Sequence, residues 1–289
     1  MAHVAFLCLG AMGGPMAGHL ARAGHAVAVW NRTPAKAHAW AATHGGRVAA
    51  SPAAAATGAA AVFACTGDDG ALRAITAGPQ GALAAMAPGS LFVDHTTVSA
   101  EATRELAAVA AARGVAWIDA PVSGGEEGAR KGQLSVMAGG EAEAFARIEP
   151  LLACYARTAV RLGPTGAGQL AKMVNQICIA GLVEALAEGL RFAERAGLDP
   201  GAVFAVLAEG AAGSWQMRQR TPSMIERRFD FGFAVDWMRK DLGIALDEAR
   251  RNGAALPITE AVDRRYAALQ ARGHGRLDTS SLVLLLDEG

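Results

Sequence analysis

The chain has 289 residues, of which 52% are hydrophobic and 19% charged, so it is long enough for two domains and can fill a sizeable core. Its 27 basic and 27 acidic residues give a formal net charge of zero without a block of like charges, which argues against nucleic acid as a partner. Four cysteines lie far apart without a C-x-x-C pair, which is typical of reduced, buried packing residues.

The first predicted element is an apolar strand near residues 3–8, which leads into a glycine-rich stretch. Residues 8–13 have the sequence CLGAMG and match the dinucleotide fingerprint G-x-G-x-x-G, except that Cys8 takes the place of its first glycine. Gly10 would let a pyrophosphate approach the backbone, and Gly13 would let the next helix pack closely on the strand. The pattern predicts a cofactor-binding turn, with an ordinary strand-to-helix turn as the alternative. Its residues are Gly10, Ala11, Met12 and Gly13.

The second predicted strand, near residues 26–30, ends where a dinucleotide fold selects its cofactor. An acidic residue there would accept hydrogen bonds from a ribose 2′-hydroxyl, but the chain has Asn31, Arg32 and Thr33 instead. A guanidinium meets a phosphate with two parallel hydrogen bonds, and a threonine adds a hydroxyl. We therefore expect NADP(H) to be favoured, with NAD(H) possible. The alternative for Arg32 is a solvated surface charge.

Short β-rich runs continue to alternate with alanine-rich helical segments up to about residue 162. Ser51 and Ser99 are candidate helix starts, and Gly24 and Gly114 are candidate helix stops. The predicted strands lie near residues 3–8, 26–30, 60–65, 91–94, 115–118, 134–138 and 157–162. This rhythm predicts an α/β domain over residues 1–162, built as a Rossmann-type doubly wound parallel sheet that binds NADP.

The pattern changes after residue 162, because no further convincing strand follows. The predicted helices lie near residues 168–196, 200–209, 215–227, 235–252 and 258–272, with a short one near 280–287. We therefore expect an all-α C-terminal domain over residues 163–289 for substrate binding and dimerisation, joined to the first domain by a long interdomain helix.

The helix predicted near residues 168–196 is apolar around much of its circumference. Such a helix needs cover on most sides, which a small helical domain supplies poorly, so we expect a homodimer or homotetramer. Glu184 and Glu188 interrupt the longest apolar segment and argue against a membrane span. Because no basic leader precedes the first strand, we expect no secretory signal and a cytoplasmic protein.

A polar turn follows the strand predicted near residues 115–118, on the edge of the sheet where α/β proteins bind ligands. Residues 119–125 have the sequence DAPVSGG. A serine followed by two glycines exposes a hydroxyl and backbone N–H groups that can hold a carboxylate. The alternative is a flexible turn before a helix. The candidate substrate-binding residues are Ser123, Gly124 and Gly125.

The start of the long predicted helix carries a lysine among apolar residues. Lys172 and Asn175 are one turn apart and therefore lie on the same helix face. Lysine is costly to bury without a partner or a task, which makes Lys172 the candidate general acid–base and Asn175 a candidate substrate ligand. The alternative is a lysine whose ammonium reaches solvent.

A third polar segment lies near residues 229–242. Lys240 is a candidate cofactor residue, although a surface ion pair with Asp236, one helical turn away, would explain it equally simply. Trp215 and Phe231 could line a substrate pocket, although aromatic residues more often pack in the core.

Several of these segments together resemble the β-hydroxyacid dehydrogenase family. The family includes 3-hydroxyisobutyrate dehydrogenase, tartronate semialdehyde reductase and glyoxylate/succinic semialdehyde reductase, and the resemblance spans almost the whole chain. The motifs that carry it are the glycine loop, WNRT at residues 30–33, DAPVSGG at 119–125, GAGQLAKMVN at 166–175 and KDL at 240–242.

The resemblance implies a role for each candidate residue. It implies that Lys172 is the catalytic lysine, that residues 123–125 hold the substrate carboxylate and that Asn175 supports it. It also implies that Lys240 sits beside the nicotinamide and that Thr96 contacts the cofactor. Residues 30–33 resemble the NADPH-preferring glyoxylate/succinic semialdehyde branch.

We therefore expect an NADP(H)-dependent oxidoreductase that interconverts a small β-hydroxyacid and its semialdehyde. Protonated Lys172 would stabilise and protonate the developing alkoxide, and neutral Lys172 would remove the hydroxyl proton in oxidation. We expect no metal site, because the seven histidines lack ligand spacing. The alternatives are an imine reductase-like enzyme and a non-catalytic NADP(H) sensor.

Overall fold

The computed structural model describes residues 1–287 and divides into two compact units, Met1–Lys172 and Met173–Gly289. The first unit is an α/β domain with one nine-stranded sheet. Its strands are β1 (His3–Leu7), β2 (Ala26–Trp30), β3 (Arg47–Val48), β4 (Ala61–Ala64), β5 (Leu91–Asp94), β6 (Ala116–Asp119), β7 (Val122–Ser123), β8 (Leu134–Gly139) and β9 (Ala156–Gly163).

Helices cover both faces of this sheet. They are α1 (Gly13–Arg22), α2 (Pro34–His44), α3 (Pro52–Ala56), α4 (Asp69–Thr76), α5 (Ala100–Ala111), α6 (Gly125–Lys131), α7 (Ala142–Leu152) and the first residues of α8 (Ala167–Arg195), with a 3₁₀ helix at Ala82–Ala84. Alternate residues of one strand belong to different cores. Phe6 and Val93 pack in one core and Leu7 and Phe92 in the other, as the period of two in a strand requires.

The sheet confirms the predicted Rossmann-type architecture and differs in one respect. The strands follow the order β3-β2-β1-β4-β5-β6-β8-β7, with β9 paired to β8, and the six from β3 to β6 are parallel. However, β8 runs antiparallel to β6 and β7, so the expectation of a wholly parallel sheet was wrong there. Hydrophobic alternation reports that a strand exists, but not its direction. The two-residue strands β3 and β7 are too short to give that signal.

The predicted helix boundaries have the expected capping chemistry. Ser51 and Ser99 accept hydrogen bonds from the backbone N–H groups of Ala54 and Ala102, at 3.1 and 3.0 Å. Gly24 and Gly114, the predicted stops, have φ values of 84° and 69°.

The second unit is helical. After α8 come α9 (Pro200–Leu207), α10 (Trp215–Ile225), α11 (Val235–Asn252) and α12 (Pro257–Ala271), and the segment predicted near 280–287 forms a 3₁₀ helix at Thr279–Leu286. Its core includes Val183, Leu190, Met238, Leu242 and Tyr266. An isolated antiparallel bridge joins Ala234 and Asp278. The all-α expectation for this part of the chain is confirmed.

The helix α8 is long and apolar enough to cross a bilayer by length and composition alone. In its most apolar 18-residue window, 44% of the residues are buried inside the protein. A core helix of a folded domain has these same properties, so the length of α8 is weak evidence for a membrane span.

Candidate functional site

The glycine-rich turn joins β1 to α1 and has the features that a pyrophosphate needs. At Gly10 a side chain would meet open space, whereas at Gly13 it would overlap the carbonyl oxygen of Cys8. The N-cap of α1 is Met12, whose side chain accepts no hydrogen bond, and the first turn carries no acidic residue. Gly14 donates its N–H to the Gly10 carbonyl oxygen at 3.0 Å and Pro15 has no N–H, so the open backbone at Gly10 and the positive end of α1 are the features that fit a dinucleotide phosphate.

Cys8 occupies the glycine position without opening the turn. Its φ is 73°, in the left-handed region that a glycine would adopt at no steric cost. Its backbone N–H donates to the Trp30 carbonyl at 2.9 Å, which joins the ends of β1 and β2. Burial raises the pKa of the Cys8 thiol, so the group stays protonated near neutral pH.

Asn31 joins the glycine turn to the segment that follows β2. Its Oδ1 accepts the N–H of Leu9 at 2.9 Å, and its Nδ2 donates to the carbonyl of Thr33 at 3.0 Å. The side-chain amide thus holds the glycine turn against the end of β2. Arg32 and Thr33 are exposed, and Arg32 forms no ion pair within residues 1–287. The guanidinium is therefore accessible to an anionic ligand.

The start of α8 is anchored by a buried carboxylate that sequence reasoning placed in a motif but gave no role. Asp119, the last residue of β6, accepts the N–H groups of Gly166 at 2.8 Å and Gln169 at 3.1 Å. These bonds satisfy N–H groups at the beginning of α8, as a capping residue does. Burial raises the pKa of Asp119, and the N–H groups that it accepts oppose this rise.

Lys172 lies one turn further along α8 and is only 8% exposed. Its Nζ donates to the carbonyl oxygen of Val122 at 3.0 Å. Val122 directly precedes Ser123, so the first unit brings together the candidate acid–base and the candidate carboxylate-binding turn. The glycines of that turn, Gly124 and Gly125, are exposed and have φ values of 128° and 62°. A side chain at either position would strain the backbone.

Thr96 lies two residues after the end of β5 and is 1% exposed. Its Oγ1 accepts the N–H of Thr66 at 3.0 Å, and its own N–H donates to Asp94 Oδ1 at 2.9 Å. Gln169 donates from Nε2 to the Thr96 carbonyl at 2.7 Å and accepts the Val98 N–H at 3.1 Å. Sequence reasoning did not single out Gln169, whose polarity at a buried helical position was the available signal. The cofactor contact of Thr96 remains a prediction.

Three of the predicted site residues belong to the second unit. Two of them, Asn175 and Lys240, are connected through a series of polar contacts. Asn175 donates to Gln176 Oε1 at 2.7 Å, and Gln176 donates to Asp241 Oδ2 at 2.6 Å. Lys240 pairs with Asp241 Oδ1 at 3.0 Å. Asp236, the residue that the helical spacing offered to Lys240 as a partner, accepts a hydrogen bond from Gln270 Nε2 at 2.6 Å.

Phe231, the third of these residues, stacks against a guanidinium. The Arg220 guanidinium carbon lies 5.2 Å from the Phe231 ring and 5.0 Å from the Trp215 ring. Arg220 also pairs with buried Asp278 at 3.2 Å. Trp215 is 50% exposed, so the stack faces solvent on one side within this unit.

No group of three His, Cys, Asp or Glu side chains that could hold a metal ion occurs within residues 1–287. In the first unit, the candidate site offers the Lys172 ammonium, the Ser123 hydroxyl and the exposed backbone of Gly124 and Gly125.

Two family profiles cover nearly the whole chain. Residues 3–163 match the NAD binding domain of 6-phosphogluconate dehydrogenase, and residues 166–286 match the NAD-binding domain of NADP-dependent 3-hydroxyisobutyrate dehydrogenase.

Individual proteins are similar over the full length. An uncharacterized oxidoreductase of Shewanella frigidimarina is 54% identical, with 100% of this chain and 99% of that protein covered. A 3-hydroxyisobutyrate dehydrogenase of Pseudomonas aeruginosa is 37% identical, with 99% of this chain and 98% of that protein covered. The solved structure of Mycobacterium tuberculosis 3-hydroxyisobutyrate dehydrogenase with L-serine has a TM-score of 0.90, 34% identity and 99% coverage of both chains.

The backbone at Cys8 leads to a stability prediction. We expect Cys8→Val to lower the free energy of unfolding by about 1 kcal/mol more than Cys8→Ala, because a β-branched side chain is disfavoured at positive φ. Urea unfolding of both variants measures the difference. Cys8→Ala is the matched control, since it removes the thiol and keeps the unbranched Cβ. Equal losses in the two variants would contradict the left-handed turn.

Proposed function

Since the chain belongs to the β-hydroxyacid dehydrogenase family, whose members are NAD(P)-dependent enzymes that act on CH–OH groups, we propose that it interconverts a small β-hydroxyacid and its semialdehyde with Lys172 as the general acid and base. One observation carries this proposal. The Lys172 ammonium is buried and held 3.0 Å from the Val122 carbonyl, immediately before the turn of residues 123–125.

The turn of residues 123–125 gives the substrate an orientation. Its exposed backbone and the Ser123 hydroxyl bind the carboxylate, because N–H and O–H donors match an acceptor-only anion. The hydrogen bond from Lys172 to the Val122 carbonyl fixes the direction of the ammonium.

Lys172 then moves the proton. In reduction its ammonium stabilises the developing alkoxide and protonates it, and in oxidation the neutral amine removes the hydroxyl proton. The nicotinamide, when bound, supplies or accepts the hydride. Burial strengthens the ammonium–alkoxide interaction, because little water screens it.

Lys172→Ala tests the assigned role. We expect kcat/KM to fall by about 10²- to 10⁴-fold, the usual contribution of general acid–base catalysis, while NADPH affinity stays within about twofold of wild type. NADPH oxidation is followed with glyoxylate and with succinic, tartronate and methylmalonate semialdehydes. The matched control is Lys131→Ala, which removes a surface lysine paired with Glu127.

Two results of this screen would contradict the proposal. Unchanged turnover in Lys172→Ala would remove the lysine from the mechanism. Wild-type protein that binds NADPH but reduces none of the semialdehydes would favour the sensor, or the imine reductase if a cyclic imine is reduced instead.

We also propose that NADP(H) is the preferred cofactor, through the exposed Arg32. Arg32→Ala is expected to weaken NADPH binding about tenfold and to leave NADH binding within about twofold, because only the former has a 2′-phosphate for the guanidinium. Fluorescence titration with each cofactor measures the dissociation constants of NADPH and NADH. Arg157→Ala on β9 is the control for the loss of an exposed cation. Equal weakening of both cofactors would contradict the role of Arg32.

We propose, further, that two copies of the chain associate through α8. Three large apolar side chains on this helix are exposed within the chain, namely Val174 at 60%, Leu182 at 45% and Phe192 at 74%. Exposed small residues at Ala185 and Gly189 lie between them and would let another helix approach closely.

Leu182→Glu tests this association. We expect the variant to have a lower molar mass by light scattering than wild type, because a carboxylate would be buried against the apolar partner surface. Val109→Glu introduces the same charge at another exposed apolar position, on α5, and should leave the mass unchanged. A monomeric wild type would contradict the proposal outright.

A further inference from the structure

A buried histidine and a buried tyrosine form hydrogen bonds next to the segment that leads into the candidate site, and the mechanism above does not use them. His95 follows β5 and is 2% exposed, and Tyr155 precedes β9 and is 0% exposed. His95 Nδ1 lies 2.6 Å from the Ala120 carbonyl oxygen, and Nε2 lies 2.8 Å from the Tyr155 hydroxyl. The imidazole therefore has a hydrogen-bond partner at each ring nitrogen.

The partners determine the tautomer of His95. A carbonyl oxygen can only accept, so Nδ1 carries the proton and donates it to Ala120. Burial lowers the pKa of His95 to about 4, so the ring is neutral near pH 7. Nε2 then accepts a hydrogen bond from the Tyr155 hydroxyl. The result is a chain of fixed direction, from the Tyr155 O–H through the imidazole to the Ala120 carbonyl.

The acceptor of this hydrogen bond, Ala120, belongs to the segment that leads into the candidate site. Ala120 comes between Asp119, which caps α8, and the segment in which Val122 receives the Lys172 hydrogen bond. The Ala120 N–H also donates to the Asp94 carbonyl at 2.7 Å. Both backbone polar groups of Ala120 are thus bonded to Asp94, the last residue of β5, and His95, the residue that follows it.

We propose that His95 is a positioning residue, which holds the 120–123 segment so that the Val122 carbonyl orients Lys172 and the Ser123 turn meets the substrate carboxylate. The Ala120 carbonyl sets the tautomer of His95, and the Tyr155 hydroxyl supplies a hydrogen-bond partner for the other ring nitrogen. This inference rests on the proposed function for its kinetic consequence, but not for its structural one.

Two amide substitutions separate the two nitrogens of the ring. His95→Asn keeps a donor near the place of Nδ1 and loses the Tyr155 bond, whereas His95→Gln carries its amide toward Tyr155 and loses the bond to Ala120. Tyr155→Phe removes only the hydroxyl. All three variants disturb the same buried cluster, so they form a matched set for thermal stability.

The expected results differ between these variants. In His95→Gln we expect kcat/KM for succinic semialdehyde to fall at least tenfold, and the preference for it over butyraldehyde, which lacks the carboxylate, to fall as well. In His95→Asn and Tyr155→Phe we expect both quantities to stay within threefold of wild type, although melting temperature falls in all three. Loss of activity that simply follows melting temperature across the set would overturn the proposal.

Hydrogen–deuterium exchange gives a readout that needs no turnover. Peptides that cover residues 119–125 should exchange faster in His95→Gln than in His95→Asn, with unchanged exchange in peptides from α5 as the internal control. Equal exchange in the two variants would overturn the positioning role even if the enzyme is inactive toward semialdehydes. Inactivity of the wild type with the expected exchange difference would reject the proposed function alone.

Discussion

The candidate site depends on the hydrogen bond from the buried Lys172 ammonium to the Val122 carbonyl oxygen, at 3.0 Å. A buried ammonium is tolerated only where oxygen acceptors replace its water. Here the acceptor belongs to the chain segment that continues into Ser123, so one contact both stabilises the cation and sets its direction beside the candidate substrate-binding turn. The position of that carbonyl is therefore the geometric requirement that the surrounding residues have to meet.

The polar groups around this contact meet that requirement from three sides. Asp119 caps the helix that carries Lys172, Gln169 joins the same helix to the Thr96 loop, and His95 holds the Ala120 carbonyl. Each of these side chains is buried and bonded to main-chain groups. Main-chain bonds restrict the loops at the ends of β5 and β6, which would otherwise be the most mobile parts of a ligand-binding edge. The site is held by the sheet edge as a whole.

Hydrogen bonds also hold the glycine-rich turn between β1 and α1. The glycine turn keeps its geometry although Cys8 replaces a glycine, because the residue adopts a φ of 73° and its N–H is bonded to Trp30. The side chain of Asn31, which follows β2, accepts a hydrogen bond from the N–H of Leu9 in the same turn. A strained residue persists where neighbouring bonds over-determine its conformation, and two such bonds surround this turn.

The sequence by itself determined the elements and the chemistry-bearing residues: the strand–turn–helix at residues 3–22, the seven longer strands, the caps at Ser51 and Ser99, and the lysine on α8. These are local signals, carried by hydrophobic period and turn residues within a few positions. Tertiary structure alone decided the reversal of β8, the capping of α8 by Asp119 from 47 residues away, and the His95–Tyr155 pair, separated by 60 residues. Such contacts have no periodic signature, because the packing of the sheet, and not the local chain, brings their polar groups together.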